Sequence, residues 1–353
     1  MILRSTEAGV VAAPMAGGPS TPELVAAVGA AGGLGFLAGG YLTTAALAAQ
    51  IEEVRGRTDR PFGVNLFVPD VANRYAAGPG PTGAERATAV AAYRGQVAGD
   101  ASGVGVEPGV PVAGDTDEWE AKLRLVTDAG VPVVSFTFGL PDRLVLGALR
   151  RRGVECVVTV TDGHEAAAAI SAGAAGLCVQ GADAGGHRGT LDPTARPDGR
   201  DLVELVAEVV QRVRDHGGGV DVVAAGGIAT PERAELVRAA GADAVQVGTA
   251  LLLTPEAGTG DAYRFALLDP ARSATTVTRA YSGRLARCLT TDFVRRHDEH
   301  VPAAYPEVHH VTAPIRRAAA AAGRADLVAL WAGTGWREAR SVPAGDVVAA
   351  LAR

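Results

Sequence analysis

Four times in this chain an alanine–glycine pair closes a helix-forming stretch and an apolar run follows at once. The phrase recurs as Ala31-Gly32-Gly33-Leu34-Gly35-Phe36, Ala129-Gly130-Val131-Pro132-Val133-Val134, Ala172-Gly173-Ala174-Ala175-Gly176-Leu177 and Ala240-Gly241-Ala242-Asp243-Ala244-Val245. Glycine just past a helix adopts the left-handed conformation that a Cβ disfavours, so the chain can leave the helix and enter a strand. The apolar runs are short and continuous rather than alternating, as in strands buried on both faces. Eight segments fit this description: 10–13, 34–37, 62–67, 132–137, 155–160, 174–179, 221–225 and 243–247. Eight parallel strands with helices between them predict a closed (β/α)8 TIM barrel of the α/β class.

Helix starts agree with that count. Ser20-Thr21-Pro22-Glu23 combines a hydroxyl cap, a proline suited to the first turn and a glutamate three residues after Ser20, and Thr230-Pro231-Glu232 repeats the chemistry before the seventh helix. Hydrophobic residues make up 48% of the chain and aromatics only 5%, so the interior must be built from alanine, valine and leucine, which suits helices packed closely on a parallel sheet. A net charge of −6 gives no basic footprint and argues against nucleic acid as a partner. Lys122 is the single lysine; it falls in the polar stretch 118–124, read as a surface helix, which leaves little room for Schiff-base chemistry. Cys156, Cys178 and Cys288 are odd in number, widely spaced and free of any Cys-x-x-Cys, which suggests a reducing compartment and no zinc framework. The first seven residues lack a signal-peptide pattern, and no uncharged apolar run reaches the ~18 residues of a membrane span. A soluble cytoplasmic protein, monomer or homodimer, is the expectation.

The barrel grammar covers 1–253, interrupted by a long excursion, 70–116, which holds the proline- and glycine-rich run 77–83 and an alanine-rich helical piece at 87–98. That excursion is expected to cover one barrel end. From 254 to 324 the βα grammar is absent, and a smaller, mainly helical second domain over the barrel mouth is expected. Residues 325–353, with a helical stretch near 344–352, would return to the barrel wall.

In eight-stranded barrels the site lies at the C-terminal strand ends. The sixth strand runs into Gln180-Gly181-Ala182-Asp183-Ala184-Gly185-Gly186-His187-Arg188-Gly189-Thr190, where glycines let the backbone pass close to a flat ligand and His187 offers a ring that titrates near neutrality. The seventh strand leads into Gly226-Gly227 and the eighth into Gln246-Val247-Gly248-Thr249. Both loops have the form that grips a phosphate with backbone N–H groups, a hydroxyl and a helix N-terminus. Asn65 and Gln180 end the third and sixth strands with amides that can donate and accept along a heterocycle edge; Asn65 serves equally as a turn cap. Met15 and Ala16, after the first strand, give a surface on which a ring could lie flat, and Met15 is also a natural core filler.

Taken in order, Pro14-Met15-Ala16-Gly17-Gly18, Asn65-Leu66-Phe67-Val68-Pro69, Gln180 through Thr190, Ala224-Ala225-Gly226-Gly227-Ile228 and Gln246-Val247-Gly248-Thr249 resemble the successive motifs of the nitronate monooxygenases, formerly called 2-nitropropane dioxygenases. The resemblance continues through Ser282-Gly283-Arg284 and Trp331-Ala332-Gly333. It implies an FMN-dependent barrel enzyme that oxidises alkyl nitronates with O2 to a carbonyl compound and nitrite or nitrate. On that resemblance Met15, Ala16, Asn65, Gln180, Gly185, Gly186, Gly226, Gly227 and Gln246 through Thr249 would hold FMN. His187 would face the flavin as base or substrate-positioning group. The chain departs from the family pattern at Asp183, where glutamate is usual, and at Thr137, where histidine is frequent. Thr137, Tyr305, His309 and His310, with Arg316 nearby, are the candidates for substrate contact. His297 and His300 read as a surface pair, and no metal is expected. FMN-dependent NAD(P)H reductases, acting on quinones or enoyl thioesters, share the same barrel motifs and form the alternative. A flavin-binding protein without turnover and a flavin-free sugar-phosphate barrel lie further off.

Overall fold

The computed structural model describes residues 3, 6–75, 83–195 and 198–352; the run 77–83, apart from Gly83, and most of the first five residues lie outside them. Eight parallel strands form the barrel: β1 (Val10–Ala12), β2 (Gly35–Ala38), β3 (Phe62–Phe67), β4 (Val133–Thr137), β5 (Glu155–Val160), β6 (Gly176–Gln180), β8 (Asp221–Ala225) and β9 (Ala244–Val247), with the two-residue β7 (Gly186–His187) outside it. Pairing runs β1-β9-β8-β6-β5-β4-β3-β2, and the ring closes where Ala12 N–H donates to Leu34 O and Leu34 N–H to Val10 O, both at 2.9 Å. The expected (β/α)8 TIM barrel is therefore the fold, each strand lying within two residues of its predicted bounds.

Side chains alternate across the barrel wall, as strand geometry requires. Val11, Phe36, Val133, Val157, Cys178 and Val223 pack with one another as one cluster, whereas Val10, Leu37, Val64, Val134, Leu177 and Val222 belong to the larger core that includes the helices. Gly63 makes room for Phe36, whose ring would lie 2.2 Å from a Cβ at that position.

The helices are α1 (Pro22–Ala30), α2 (Thr44–Arg57), α3 (Gly83–Gln96), α4 (Ala98–Ser102), α5 (Trp119–Asp128), α6 (Arg143–Arg151), α7 (Gly163–Ala172), α8 (Leu202–Asp215), α9 (Pro231–Ala239), α10 (Asp261–Leu268), α11 (Asp292–His297), α12 (Glu307–Ala321) and α13 (Ala344–Leu351). None is long and apolar enough to cross a membrane. Thr21 and Thr230 cap α1 and α9 through their side chains. Ser20 is not the cap; its hydroxyl accepts the Met15 N–H at 2.8 Å and so shapes the loop after β1. The barrel helix that follows β9 is α13, which packs on α1 and α9 and whose last carbonyls, of Leu351 and Ala352, accept from the Arg238 guanidinium.

A cap sits above the strand ends. Its antiparallel strands β10 (Thr275–Thr278) and β11 (Ala286–Leu289) are extended by β7, with His187 opposite Ala286 and Gly186 opposite Arg287. The expected excursion does not stand apart from the cap: Val90, Tyr93, Val97 and Ala101 share one apolar cluster with Tyr281, Phe293, Val308, Val311 and Ile315. Tyr93 Oη donates to Ala280 O at 2.6 Å. Two surface expectations are corrected. His297 is buried, 2.6 Å from Asp100 Oδ2, while His300 is exposed, so the two share no site. Lys122 is 1% exposed and lies 2.8 Å from Asp117 Oδ2, because its face of α5 turns toward the barrel.

Candidate active site

A cavity of about 630 Å3 opens at the C-terminal ends of the barrel strands and is roofed by the cap. That volume lies in the ordinary range for a small-molecule or cofactor site. Into it the barrel sends the loop after β1, Asn65 from β3, Thr137 from β4, Thr159 from β5, Gln180 from β6 and the glycine turns after β8 and β9.

The loop carrying His187 is held from both ends. Gln180 Nε2 donates to His187 O at 3.0 Å while Gln180 Oε1 accepts the Gly189 N–H at 2.8 Å. The buried Arg188 guanidinium donates to the carbonyls of Gly181 and Gln180. At Gly185 a Cβ would stand 2.5 Å from Gly333 N, so the loop lies directly against the backbone of the Trp331–Gly333 segment. With its backbone fixed as β7, His187 places Nε2 2.8 Å from Ser282 Oγ, and its ring lies among Phe138, Tyr305 and Trp331 at centroid distances of 5.5, 6.0 and 5.0 Å. Burial, then the Arg284 and Arg316 cations, lower its pKa to about 3, so the imidazole is neutral.

Two guanidiniums flank this ring. Arg284 is 3% exposed, sits 4.3 Å over the Phe138 ring and gives its hydrogens to the Arg188 and Thr190 carbonyls. Arg316 donates to His309 Nδ1 at 3.0 Å and to Thr312 Oγ1 at 3.2 Å. Among the described residues neither has a carboxylate partner, and the region is consequently electropositive. His309, its Nδ1 occupied as an acceptor, stacks on Tyr41 at 3.9 Å and 7°; burial and Arg316 keep it neutral.

The glycine turns after β8 and β9 line the same cavity. Gly226 and Gly227 have φ of +109° and +68°, and a Cβ on Gly227 would reach within 2.7 Å of the Asp183 side chain. A Cβ on Gly248 would meet Ala13 at 3.2 Å. Thr249 opens a short 3-10 turn, Thr249–Leu251, and its Oγ1 accepts the Gly333 N–H at 3.0 Å. Gln246 Nε2 lies 3.2 Å from Cys178 Sγ. Asn65 is 2% exposed, and its Nδ2 reaches Ser135 O, Ser135 Oγ and Thr137 Oγ1 at 3.2, 2.9 and 3.0 Å. It orients Thr137 as well as closing the floor. Met15, Ala16, Asn65, Thr137, Gln180, Gly185, Gly186, His187, Gly226, Gly227, Gln246 through Thr249 and His309 all line this one cavity. Tyr305 and His310 do not. They line an adjoining outer cavity of about 790 Å3, where His310 accepts the Val112 N–H at Nδ1 and bonds Asp115 through Nε2.

Sequence reasoning did not single out Tyr41, Phe67, Phe138 or Thr159. The first three line both cavities and form the partition between them. Each lies at or just beyond a strand end, which is the one signal in the sequence that could have marked them. A flavin fits the donor set: a glycine- and threonine-lined anion cradle at one end, small residues along the β1 loop and a neutral histidine beside the floor.

The profile of the nitronate monooxygenase family matches residues 4–353. A probable nitronate monooxygenase of Staphylococcus saprophyticus is 34% identical over 92% of this chain and 88% of its own length, and one from Staphylococcus aureus is 32% identical over 98% and 93%. Among solved structures, a nitroalkane oxidase from Streptomyces ansochromogenes superposes with a TM-score of 0.90 at 45% identity, covering 99% of this chain and 97% of that one. FabK from Thermotoga maritima shares the fold, with a TM-score of 0.73, 24% identity and coverage of 99% and 93%.

Proposed function

Because the chain belongs to the nitronate monooxygenase family, we propose that its strand-end cavity holds FMN and that it oxidises alkyl nitronates with O2 to a carbonyl compound and nitrite or nitrate. The observation that carries this reading is the neutral His187 fixed against Ser282 in the strand-end cavity, with the Arg284 and Arg316 cations close enough to lower its pKa. Membership makes the protein a flavin-dependent enzyme of nitronate and nitroalkane oxidation; FMN, the roles of single residues and the products are our proposal.

Gly226, Gly227, Gly248 and Thr249 would take the phosphate, and the β1 loop with Asn65, Gln180 and Gln246 would border the ring system. Bound there, FMN supplies the electron acceptor that couples the substrate to O2. The protein's own part is orientation and electrostatics. Arg284 and Arg316 draw the nitronate anion in, and the cap keeps bulk water from it. His187 orients it: with Ser282 Oγ donating to Nε2, the ring carries its hydrogen on Nδ1 and can donate to a nitronate oxygen. The opposite tautomer, with Ser282 donating to Arg284 O at 3.2 Å, leaves a lone pair on Nδ1 for the α-proton of a neutral nitroalkane. A base whose pKa is held near 3 is poorly matched to that second task. Preformed nitronates should therefore be the better substrates.

Anaerobic mixing with an alkyl nitronate should bleach the flavin absorbance of the purified protein, whereas NADH or NADPH should not. Rapid bleaching by a nicotinamide alone would replace this reading with that of a reductase.

A further inference from the structure

Among the described residues, four non-glycine residues have left-handed backbone: Tyr41 at φ +67°, Asp117 at +53°, Glu118 at +54° and Phe138 at +78°. Such residues are strained and persist where their neighbours over-determine them, which happens most often at functional sites. Here they belong to one construction. Tyr41 and Phe138 flank Phe67 in the aromatic partition between the inner and outer cavities, with ring centroids 5.3 and 4.5 Å from it. The turn at Asp117 and Glu118 fastens the Tyr41 loop twice. Asp117 Oδ1 accepts the Tyr41 N–H at 3.0 Å, and Glu118 Oε2 accepts both the N–H and the hydroxyl of Thr44.

Behind that turn stands Lys122. Of 33 lysine and arginine residues only this one is lysine, and it is buried with Nζ 2.8 Å from Asp117 Oδ2. The carboxylate depends on this partner: burial raises the Asp117 pKa and Lys122 opposes the rise. The Tyr41 ring in turn stacks on His309, whose Nδ1 receives Arg316, and its hydroxyl accepts from Tyr305 Oη at 3.4 Å. The sequence of contacts runs unbroken from the lysine to the cavity wall.

We propose that Lys122 is a positioning residue, acting through Asp117 to fix Tyr41 and with it the wall that orients substrate beside His187. The role rests on the reaction proposed above, but its first consequence is independent of turnover: the Tyr41 loop is ordered by a buried ion pair. Removing the cation leaves the carboxylate to take up a proton or turn toward water, and the Tyr41 N–H loses a charged acceptor. The wall loosens while His187, Ser282 and the glycine cradle, held by other contacts, stay in place.

The test is amide hydrogen exchange of the flavin-loaded full chain with steady-state kinetics on an alkyl nitronate, comparing wild type and Lys122→Met. The variant should exchange faster at 40–45, with the peptides around 181–190 unchanged. Its KM should rise about tenfold while kcat stays within about twofold, the signature of lost binding rather than lost chemistry. Should Lys122→Met fail to fold because it strands a buried carboxylate, the double variant Asp117→Gly/Lys122→Met carries the same test. It leaves no unpaired charge and puts glycine where φ is +53°, and the same local exchange and KM changes are expected. Wild-type exchange at 40–45 with wild-type KM, in whichever variant folds, would overturn the proposal. So would a fall in kcat with unchanged KM. If the wild type itself does not turn over nitronate, the reaction proposed above fails, and the exchange data alone decide the role of Lys122.

Discussion

His187 is set by three kinds of contact that come from two stretches of the chain: the Gln180 amide of its own loop on its backbone and, about a hundred residues on, the strand pairing with Ala286 and the hydroxyl of Ser282. Truncating the ring leaves the first two intact. His187→Ala should therefore bind FMN as wild type does, while kcat/KM for an alkyl nitronate falls on the order of 100-fold, the usual contribution of one positioned proton-transfer or hydrogen-bonding group. Flavin content by absorbance and initial rates check both halves. Ser282→Ala should give a smaller loss, because the ring keeps its place among Phe138, Tyr305 and Trp331. At this scale the sequence was informative about position and poor about partners. A strand end is visible as an apolar run meeting glycine, so His187, Gln180 and Gly248 could be found. What an amide bonds to is decided by other strands. Gln180 has both ends of its amide on the backbone of its own loop, and Asn65 reaches Ser135 and Thr137 seventy or more residues away, neither of which its neighbours in sequence could indicate.

Among the elements, the loop between β6 and β7 does the most to join barrel and cap. It leaves the barrel at Gln180, passes Gly185 against Ala332 and Gly333, and enters the cap's sheet at Gly186. Gly185 is needed for the close approach: its φ lies outside the left-handed region, yet a Cβ there would meet backbone atoms at 2.5 and 2.6 Å. Gly185→Val should push the Trp331–Gly333 segment away, cost about 1–3 kcal/mol of stability as overpacking typically does, and weaken flavin binding by breaking the Gly333–Thr249 hydrogen bond. Thermal unfolding and a flavin titration read the two effects separately. Gly186, with φ of +76° and open space about its Cβ position, should tolerate alanine sterically but resist it conformationally, a smaller loss of about 1 kcal/mol. The barrel elements were legible because each repeats one local pattern: a capped helix, a glycine stop, an apolar strand. The cap was not, since β7 is only two residues long and has no pattern of its own, and β10 and β11 lack the tight two-residue turn that marks a hairpin.

Over the whole molecule, the barrel is written locally and the cap is assembled at long range, from 83–106 and 275–331 together, which is why the first segment read as an excursion rather than as cap. That assembly also places two neutral histidines, His187 and His309, near Arg316 under one roof, with Arg284 acting on His187 as well, and this has a consequence for folding in acid. Burial and the arginines lower the folded-state pKa of His187 from 6.5 to about 3 and shift His309 in the same direction. In the unfolded chain both rings would protonate near 6.5. As pH falls through that value the unfolded state therefore binds protons that the folded state refuses, and stability declines toward the folded pKa; well above 6.5 both states are neutral at these rings and the pH dependence vanishes. For His187 alone the loss at pH 5 is about 2 kcal/mol relative to pH 8, and His309 adds to it. The midpoint of urea unfolding should fall between pH 7 and pH 5, and His187→Asn, which carries no titrating ring, should flatten that slope. A His187→Asn protein with the same slope as wild type would mean that the ring takes up its proton in the folded state, and that the roof over the cavity opens to water more readily than the contacts around Tyr41, Trp331 and His309 imply.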